Sequence, residues 1–310
     1  MKIYLDLPFL EDFLLTNDDS DRHYRLKRLL CSTESPAELF VDFDFEEAYK
    51  DPEKRALFRQ ITKRLPRSDL QIIDKANQAT FHESATPNLF FMNSENLSVT
   101  KFGCFHLQSQ SLEKANALIY PEKYRVDSTL KDWSFMNSCN LPCNSLILTD
   151  NYLFSNDETY ENTFSILVAL MPQKLSIDFD LTLIGYDAKK SFKSIQEQSV
   201  KILSQLKKHF SYHINLTIVR EDHHGRYINT NYTRFQSEKG FGLFKNNKIK
   251  SADETTIEFS SIGEFGRESS TYKIRNEELK KCRSICRVER GNDRVIGTRK
   301  NRLLPLSLNL

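Results

Sequence analysis

The sequence predicts an α/β protein made of two α/β domains. Short apolar runs with strand-like alternation recur along the chain, and amphipathic helical patterns separate most of them. Strands that alternate with helices are typical of largely parallel sheets covered by helices. A chain of 310 residues is also long enough for two cores. We predict an N-terminal domain at 1–125, a linker at 126–144, a second domain at 145–260 and a basic C-terminal extension at 261–310.

The N-terminal domain alternates the two element types from its first residues. A strand is predicted at Lys2–Leu7, and a helical pattern follows Pro8. The remaining predicted strands or short apolar runs are Glu38–Phe43, Leu70–Ile73, Leu89–Met92 and Phe102–Leu107, and the remaining predicted helices are His23–Leu30, Glu46–Leu65 and Leu112–Ile119.

Four aspartates lie at or near the ends of these predicted strands: Asp6, Asp42, Asp44 and Asp74. Carboxylates at strand ends can converge on Mg²⁺, as they do in several nuclease folds. Aspartate is also common wherever a strand gives way to a turn or to a helix N-cap. Spacing alone does not separate the two readings. We favour turns and caps, and we expect neither a metal nor another cofactor.

The stretch Pro121–Asn144 has little periodicity and contains the single tryptophan, Trp133, so we place the domain junction there. Two cysteine pairs share a step of four residues: Cys139 with Cys143, and Cys282 with Cys286. Zinc sites more often separate paired cysteines by two residues. We therefore interpret all four as free thiols, which fits a reducing cytosol.

The second domain is predicted to run strand–helix–strand–helix–strand. Its elements are Ser145–Tyr152, Asn162–Leu170, Phe179–Ile184, Ile195–Phe210 and Ile214–Val219, followed later by a strand at Thr255–Phe259 and a basic helix at Asn276–Arg287. The chain leaves its third strand at an edge where α/β sheets bind their ligands. The strongest candidate site is therefore the segment Ser211–Asn247, which contains this third strand and the residues after it.

This segment holds the densest cluster of reactive side chains in the sequence: Asp222, His223, His224, Arg226, Asn229, Thr230, Asn231 and Tyr232. Residues i and i+2 of an extended chain point to one face, so His224 and Arg226 are expected side by side. An imidazole can attack phosphorus or protonate a leaving oxygen, while a guanidinium neutralises phosphate oxygens. Alternatively, both side chains satisfy buried carbonyls and a carboxylate such as Asp150, or His223 beside Asp222 is the functional imidazole.

Three motifs between Leu146 and Phe244 carry a family resemblance: Asp150 with Tyr152 after a strand, His224-Gly225-Arg226, and Gly240-Phe241-Gly242. This region resembles the phospholipase D superfamily, especially the degenerate domain at the C-terminus of MIT-domain proteins. The resemblance implies a mixed sheet flanked by helices. In active members the motif His-x-Lys-x4-Asp supplies a nucleophile, a phosphate ligand and a supporting acid. The matching positions here are His224, Arg226 and Asn231.

The resemblance implies a phosphate site in which arginine replaces lysine and asparagine replaces the acid. The lost carboxylate favours a non-catalytic role. Catalysis would need two histidines, and one motif per chain would then imply a homodimer with the site across its two-fold axis. We predict His224, Arg226 and Asn231 as candidate catalytic residues. Further predicted binding residues are Asp150, Tyr152, His223, Thr230, Tyr232, Arg283 and Arg287.

Charge is distributed unevenly along the chain. Residues 1–60 carry nine Lys and Arg against fourteen Asp and Glu, whereas residues 271–303 carry eleven against four. A basic end suggests an anionic partner, DNA or RNA above all. A solvated tail is the alternative. No secretory signal or membrane-spanning run is recognised, so we expect a cytoplasmic protein.

Three function classes follow from these patterns. The first is a non-catalytic or weakly catalytic accessory protein that binds nucleic acid or phosphate; its domain style suggests a prokaryotic antiviral defence complex. The second is a dimeric, metal-independent nuclease of phospholipase D type. The third is a protein–protein scaffold, for which the 22 Phe residues would supply an interface.

Overall fold

The computed structural model contains two β-sheets with helices packed on them, which confirms the α/β fold class. The structure describes residues 1–15, 20–32, 35, 37–44, 50–52, 54–56, 59, 71–72, 81–93, 98–120, 122–138, 140–155, 157–186, 191–250, 255–264, 271–287 and 294–304. The predicted helix Glu46–Leu65 and the residues Asp74 and Cys139 lie wholly or largely outside these ranges.

The first sheet is parallel and has the strand order β3-β2-β1-β4-β5. Its strands are β1 (Lys2–Leu5), β2 (Glu38–Val41), β3 (Gln71–Ile72), β4 (Asn88–Phe91) and β5 (Phe105–His106). The helices of this part are α1 (Leu7–Leu15), α2 (Asp21–Cys31) and α3 (Leu112–Ala117). Because β2 and β4 pair with opposite sides of β1, the order of strands along the chain reverses at β1.

The second sheet is mixed and has the order β15-β9-β8-β7-β10-β11-β14-β6. Its strands are β6 (Glu122–Val126), β7 (Ser145–Thr149), β8 (Phe179–Gly185), β9 (Ile214–Arg220), β10 (Tyr227–Thr230), β11 (Thr233–Ser237), β14 (Thr255–Ser261) and β15 (Val295–Gly297). The strands β12 (Phe244–Lys245) and β13 (Lys248–Ile249) form a separate hairpin, and the helices are α4 (Asp157–Leu170), α5 (Phe192–His209) and α6 (Thr271–Cys286). Only β7, β8 and β9 pair in parallel, as the predicted βαβαβ unit requires.

Stretches predicted as linker and as C-terminal extension contribute to the second sheet. The strand β6 spans the end of the predicted N-terminal domain and the first linker residue, Val126, and pairs with β14, and β15 pairs with β9 at the opposite edge. Between β6 and β7, Trp133 is fully buried and its indole Nε1 donates to Asn162 Oδ1 at 2.8 Å. These stretches therefore form the two edges of the second sheet and part of its core.

The two sheets meet at the tip of the β10–β11 hairpin. Tyr232 is buried there, and its hydroxyl donates to the Asn88 carbonyl at 2.6 Å and accepts from the Phe105 amide at 3.0 Å. Just before β7, Asn144 Nδ2 donates to the Phe102 carbonyl at 2.9 Å. The Tyr232 hydroxyl thus binds main-chain groups of two strands of the first sheet, and the Asn144 amide binds the main chain just before β5. None of the helices that the structure describes is long and apolar enough to cross a bilayer.

Candidate phosphate-binding site

The predicted site lies on a loop, residues 221–226, between β9 and β10. We expected His224 and Arg226 on an extended strand, but regular strand structure begins only at Tyr227. The loop is held by Asn151, whose Oδ1 accepts from the His223 amide at 2.8 Å and whose Nδ2 donates to Asp222 Oδ1 at 2.7 Å. The strict i, i+2 alternation used in the prediction therefore does not apply to this pair.

A cavity of about 610 Å³ lies between this loop, the β10–β11 hairpin and α6. It is lined by residues 222–227, and in addition by Arg234, residues 236–238, Glu278 and Lys281. His223, His224 and Arg226 therefore line one cavity. The last two of the additional residues belong to α6, which sequence spacing did not connect to the loop.

Arg226 lies at the centre of this arrangement. Its Nη1 donates to the Glu238 carbonyl at 2.5 Å, and its guanidinium carbon lies 5.6 Å from the centre of the Tyr152 ring. Tyr152 is 58% exposed, so this cation–π contact stands at the surface. Only one guanidinium N–H has a partner among the described residues, which leaves others able to meet a ligand.

His223 and His224 occupy different environments. His224 is exposed at the cavity mouth, whereas His223 is half-buried, with its Nε2 2.9 Å from the Tyr227 hydroxyl. Burial, with a smaller effect from the nearby Lys281 charge, lowers the pKa of His223 below its ordinary value of 6.5. At neutral pH the His223 ring is therefore uncharged. Gly225 follows the two histidines, and a larger residue does not fit there because a Cβ would lie 2.4 Å from the Tyr227 ring and 2.7 Å from His223 Nε2.

The cavity has a polar floor. Arg234 Nη2 and Nε both donate to the carboxylate of Glu278, at 2.7 and 3.0 Å, and both side chains are nearly buried. Asn229 Nδ2 also donates to Glu278, at 3.0 Å, and Gln236 Oε1 accepts from Arg234 Nη2 at 2.7 Å. The charge of Arg234 is thus matched within the protein. This pair could not be predicted from residue spacing, because Arg234 and Glu278 are 44 residues apart.

Asp150 anchors the glycine-containing return. Its Oδ1 accepts from the Tyr152 amide at 2.9 Å and its Oδ2 accepts from the Phe241 amide at 2.7 Å. Burial raises the pKa of this carboxyl, while the two amide bonds and the charge of Arg226 oppose that rise. Gly240 has φ +86° and its α-carbon faces Asp150 so closely that a Cβ would lie 2.6 Å from Oδ2. The structure therefore brings together all three motifs on which the family resemblance rests.

The structure does not bring Asn231 to the histidines. Asn231 is buried at the opposite end of β10, where its Oδ1 accepts from the amides of Asn144 and Ser145 at 2.9 and 3.1 Å. Thr230 and Tyr232 lie at the same end, and the Thr230 carbonyl accepts two hydrogen bonds from the buried Arg275. Three of the predicted site residues thus stabilise the hairpin tip and are remote from the cavity.

The two predicted arginines of the basic helix lie beyond the cavity. Glu278 and Lys281 of α6 line the cavity, whereas Arg283 and Arg287 do not. Arg287 is exposed, and Arg283 is half-buried with its Nε lacking a hydrogen-bond partner among the described residues. Both belong to the surface at the C-terminal end of α6.

The described residues do not form the metal site that was considered as an alternative. No group of three or more His, Cys, Asp or Glu side chains there is placed to hold a metal ion. Asp6 instead caps α1 by accepting from the Phe9 amide at 2.8 Å, and Asp42 and Asp44 are exposed. Cys143, Cys282 and Cys286 are buried free thiols, and burial raises the pKa of each to about 11 or 12.

No protein-family model matches the chain, and no curated protein matches it either. The likeness to phospholipase D domains therefore stays a prediction. The functional proposal therefore rests on the loop, the cavity and the charges around them.

Proposed function

We propose that the chain binds a phosphate-bearing ligand, nucleic acid above all, in the cavity between loop 221–226 and α6, without hydrolysing it. The observation that carries this proposal is the placement of Arg226 at one wall and Lys281 at the other. A cavity of about 610 Å³ lies within the size range of nucleotide-sized ligand sites. The same lining contains the carboxylates of Asp222, Glu238 and Glu278, so the attraction is local to an anion that bridges Arg226 and Lys281.

The chemistry of the lining favours phosphate over other anions. A guanidinium offers N–H donors in a fixed fork that matches phosphate oxygens, and an ammonium adds a point charge. The exposed His224 adds a donor at the mouth. Arg234 contributes shape more than charge, since Glu278 already neutralises it. The ligand charge is therefore met mainly by Arg226 and Lys281.

Binding without turnover follows from the same geometry. His223 is occupied by the Tyr227 hydroxyl, and Asn231 is too far along β10 to support His224. A nucleophilic histidine needs a partner that orients it or takes up a proton. The His224 ring has no hydrogen-bond partner among the described residues, and in the predicted homodimer a second copy of the chain would supply one. We therefore assign the accessory, nucleic-acid-binding role, in line with a defence complex, ahead of the nuclease.

The test is binding of labelled single- and double-stranded DNA and RNA by the wild type, Arg226→Gln, Lys281→Gln and the control Lys207→Gln. Lys207 is an exposed helical lysine on α5, remote from the cavity. Each cavity variant should weaken binding about threefold to tenfold and reduce the salt dependence by about one counterion. The control should match the wild type in affinity and salt slope.

Parallel incubations with EDTA and with Mg²⁺ separate the function classes. Retention without cleavage, weakening with salt, supports the proposal. Cleavage in EDTA that His224→Ala abolishes would replace it with the dimeric nuclease. If no nucleic acid is retained at low salt, or if Lys207→Gln weakens binding as much as the cavity variants, the proposed site is wrong and the scaffold becomes the leading interpretation.

A further inference from the structure

A second cavity, of about 340 Å³, lies in the N-terminal part of the molecule, between α1, α2 and the segment that follows β5. Its position has a topological reason. The strand order of the first sheet reverses at β1, and open α/β sheets bind ligands beyond the carboxyl ends of their strands near such a reversal. Gln108 and Gln110 follow the carboxyl end of β5 and line this cavity, as do residues of α1, which follows β1.

The cavity combines an apolar wall with one guanidinium. The ring of Phe13 stacks on that of His23, with centroids 4.6 Å apart, and it also stacks on Phe9 at 5.7 Å. Arg22 lines the same space, and its Nε is shielded from solvent without a hydrogen-bond partner among the described residues. A shielded donor without a partner is costly, so a ligand that accepts from it gains affinity. The amide side chains of Gln108 and Gln110 supply further polar groups at the rim.

These features select a class of ligand. The flat aromatic wall suits an apolar or aromatic body, and the guanidinium fork suits a carboxylate. The carboxylate of Asp12 lines the cavity as well and repels any anion, so a ligand with one negative charge is opposed less than a ligand with two. A volume of about 340 Å³ stands near the lower limit of ligand cavities. We propose that this cavity binds a small monocarboxylate with a flat apolar body, held by Arg22 against the Phe13–His23 wall.

This site is independent of the proposed phosphate site, because it shares no lining residue with it. It gives the first sheet a role of its own, the recognition of a small acid, for which the sequence predicted none. Since the two sheets meet at Tyr232, both sites belong to one folded body.

Calorimetric titration with phenylacetate tests the assignment on the full chain, with phenylacetamide and inorganic phosphate as matched probes. We expect saturable binding of phenylacetate at one site, weaker binding of the uncharged amide, and little binding of phosphate. Arg22→Gln should raise the Kd of phenylacetate about tenfold or more, because it removes the charged partner. Lys27→Gln removes a positive charge from an exposed position of the same helix and should leave the Kd unchanged.

Several outcomes would overturn the assignment. These are equal affinity for the acid and the amide, binding of phosphate alone, no saturable binding at millimolar concentrations, or equal losses in Arg22→Gln and Lys27→Gln. If Arg22→Gln fails to fold, Arg22→Lys keeps the charge but loses the fork, and an intermediate Kd is expected. Amide chemical shifts then locate the ligand: changes confined to α1, α2 and residues 107–115 support the site, and changes around loop 221–226 contradict it.

Discussion

Polar side chains flank strand β10 at both ends, but they are exposed at one end and buried at the other. At its N-terminal end, His224 is exposed and Arg226 has a single hydrogen bond among the described residues. At its C-terminal end, Asn231 and Tyr232 are buried, and both hold main-chain amides of neighbouring strands. The first end leaves donors available to a ligand, whereas the second uses its polar groups to join strands and sheets. A four-residue strand thus separates a binding surface from a structural joint.

The difference shows that residue type alone does not identify a site. Amide and hydroxyl groups stabilise a fold when they are buried and hydrogen-bonded to protein groups. When they are exposed to water, they can bind a ligand instead. Burial decides between these roles, and burial depends on the partner elements. If this comparison is sound, substitutions at the buried end should affect stability strongly, and substitutions at the exposed end should affect it weakly.

The largest effect is expected for Asn231→Ala. The substitution leaves the amides of Asn144 and Ser145 without their acceptor in a buried site, and it also removes a donor to Asn144 Oδ1. We expect the free energy of unfolding to fall by about 3 kcal/mol, since each buried donor left unpaired costs roughly 1–3 kcal/mol. Denaturant unfolding measures this. The control Asn140→Ala removes a single bond, to the Ala169 carbonyl, and should cost about 1 kcal/mol; equal losses would contradict the special role of Asn231.

A smaller, pH-dependent effect is expected at His223. Burial lowers the pKa of His223 below 6.5, so the folded protein binds fewer protons there than the unfolded chain does. The contribution of this residue to stability is therefore complete above pH 6.5 and is lost as the pH falls below that value. In His223→Gln, which does not titrate, unfolding measured from about pH 7.5 to pH 5 should lose less stability than in the wild type. Parallel profiles for the two proteins would show that His223 is not the source.

The smallest effect on stability is expected for His224→Ala. The side chain is exposed at the cavity mouth, and exposed positions away from special features change the free energy of unfolding by less than about 0.5 kcal/mol. Its effect should be on ligand retention. If His224→Ala lowered the free energy of unfolding as much as Asn231→Ala does, both ends of β10 would be structural. The comparison between the two ends would then be wrong.

Periodicity predicted the elements that have a buried apolar stripe or run. The strand β7 has a short apolar run, whereas β8 and β9 alternate apolar with polar residues, and all three are buried along nearly their whole length because they are central. The edge strands β6 and β15 were not predicted. β15 has three residues and includes Gly297, and the run Glu-Lys-Tyr-Arg-Val of β6 reads as polar because it faces solvent on one side. Short edge strands acquire their conformation from their neighbours, so their own residues carry little signal.

The site was predicted in part for a similar reason. Reactive residues close in sequence pointed to loop 221–226, and the cavity is there. The contribution of α6 could not be foreseen, because Glu278 and Lys281 reach the loop only through the packing of a helix that follows some 50 residues later. Asn231 was assigned by motif spacing, and spacing does not report that Asn144 and Ser145 would compete for its side chain.

The packing of α6 along β10 requires a stretch of helix to match a stretch of strand in length. Arg275 reaches the Thr230 carbonyl, Glu278 reaches Asn229, and Cys282 reaches the Tyr227 hydroxyl. Seven helical residues advance about 10.5 Å and three strand residues about 10 Å, so the two lengths match. A single inserted residue between Arg275 and Cys282 would turn the later side chains by about 100° and break the match. Exposed positions of the helix can therefore vary in kind, whereas the number of residues between its anchors is fixed.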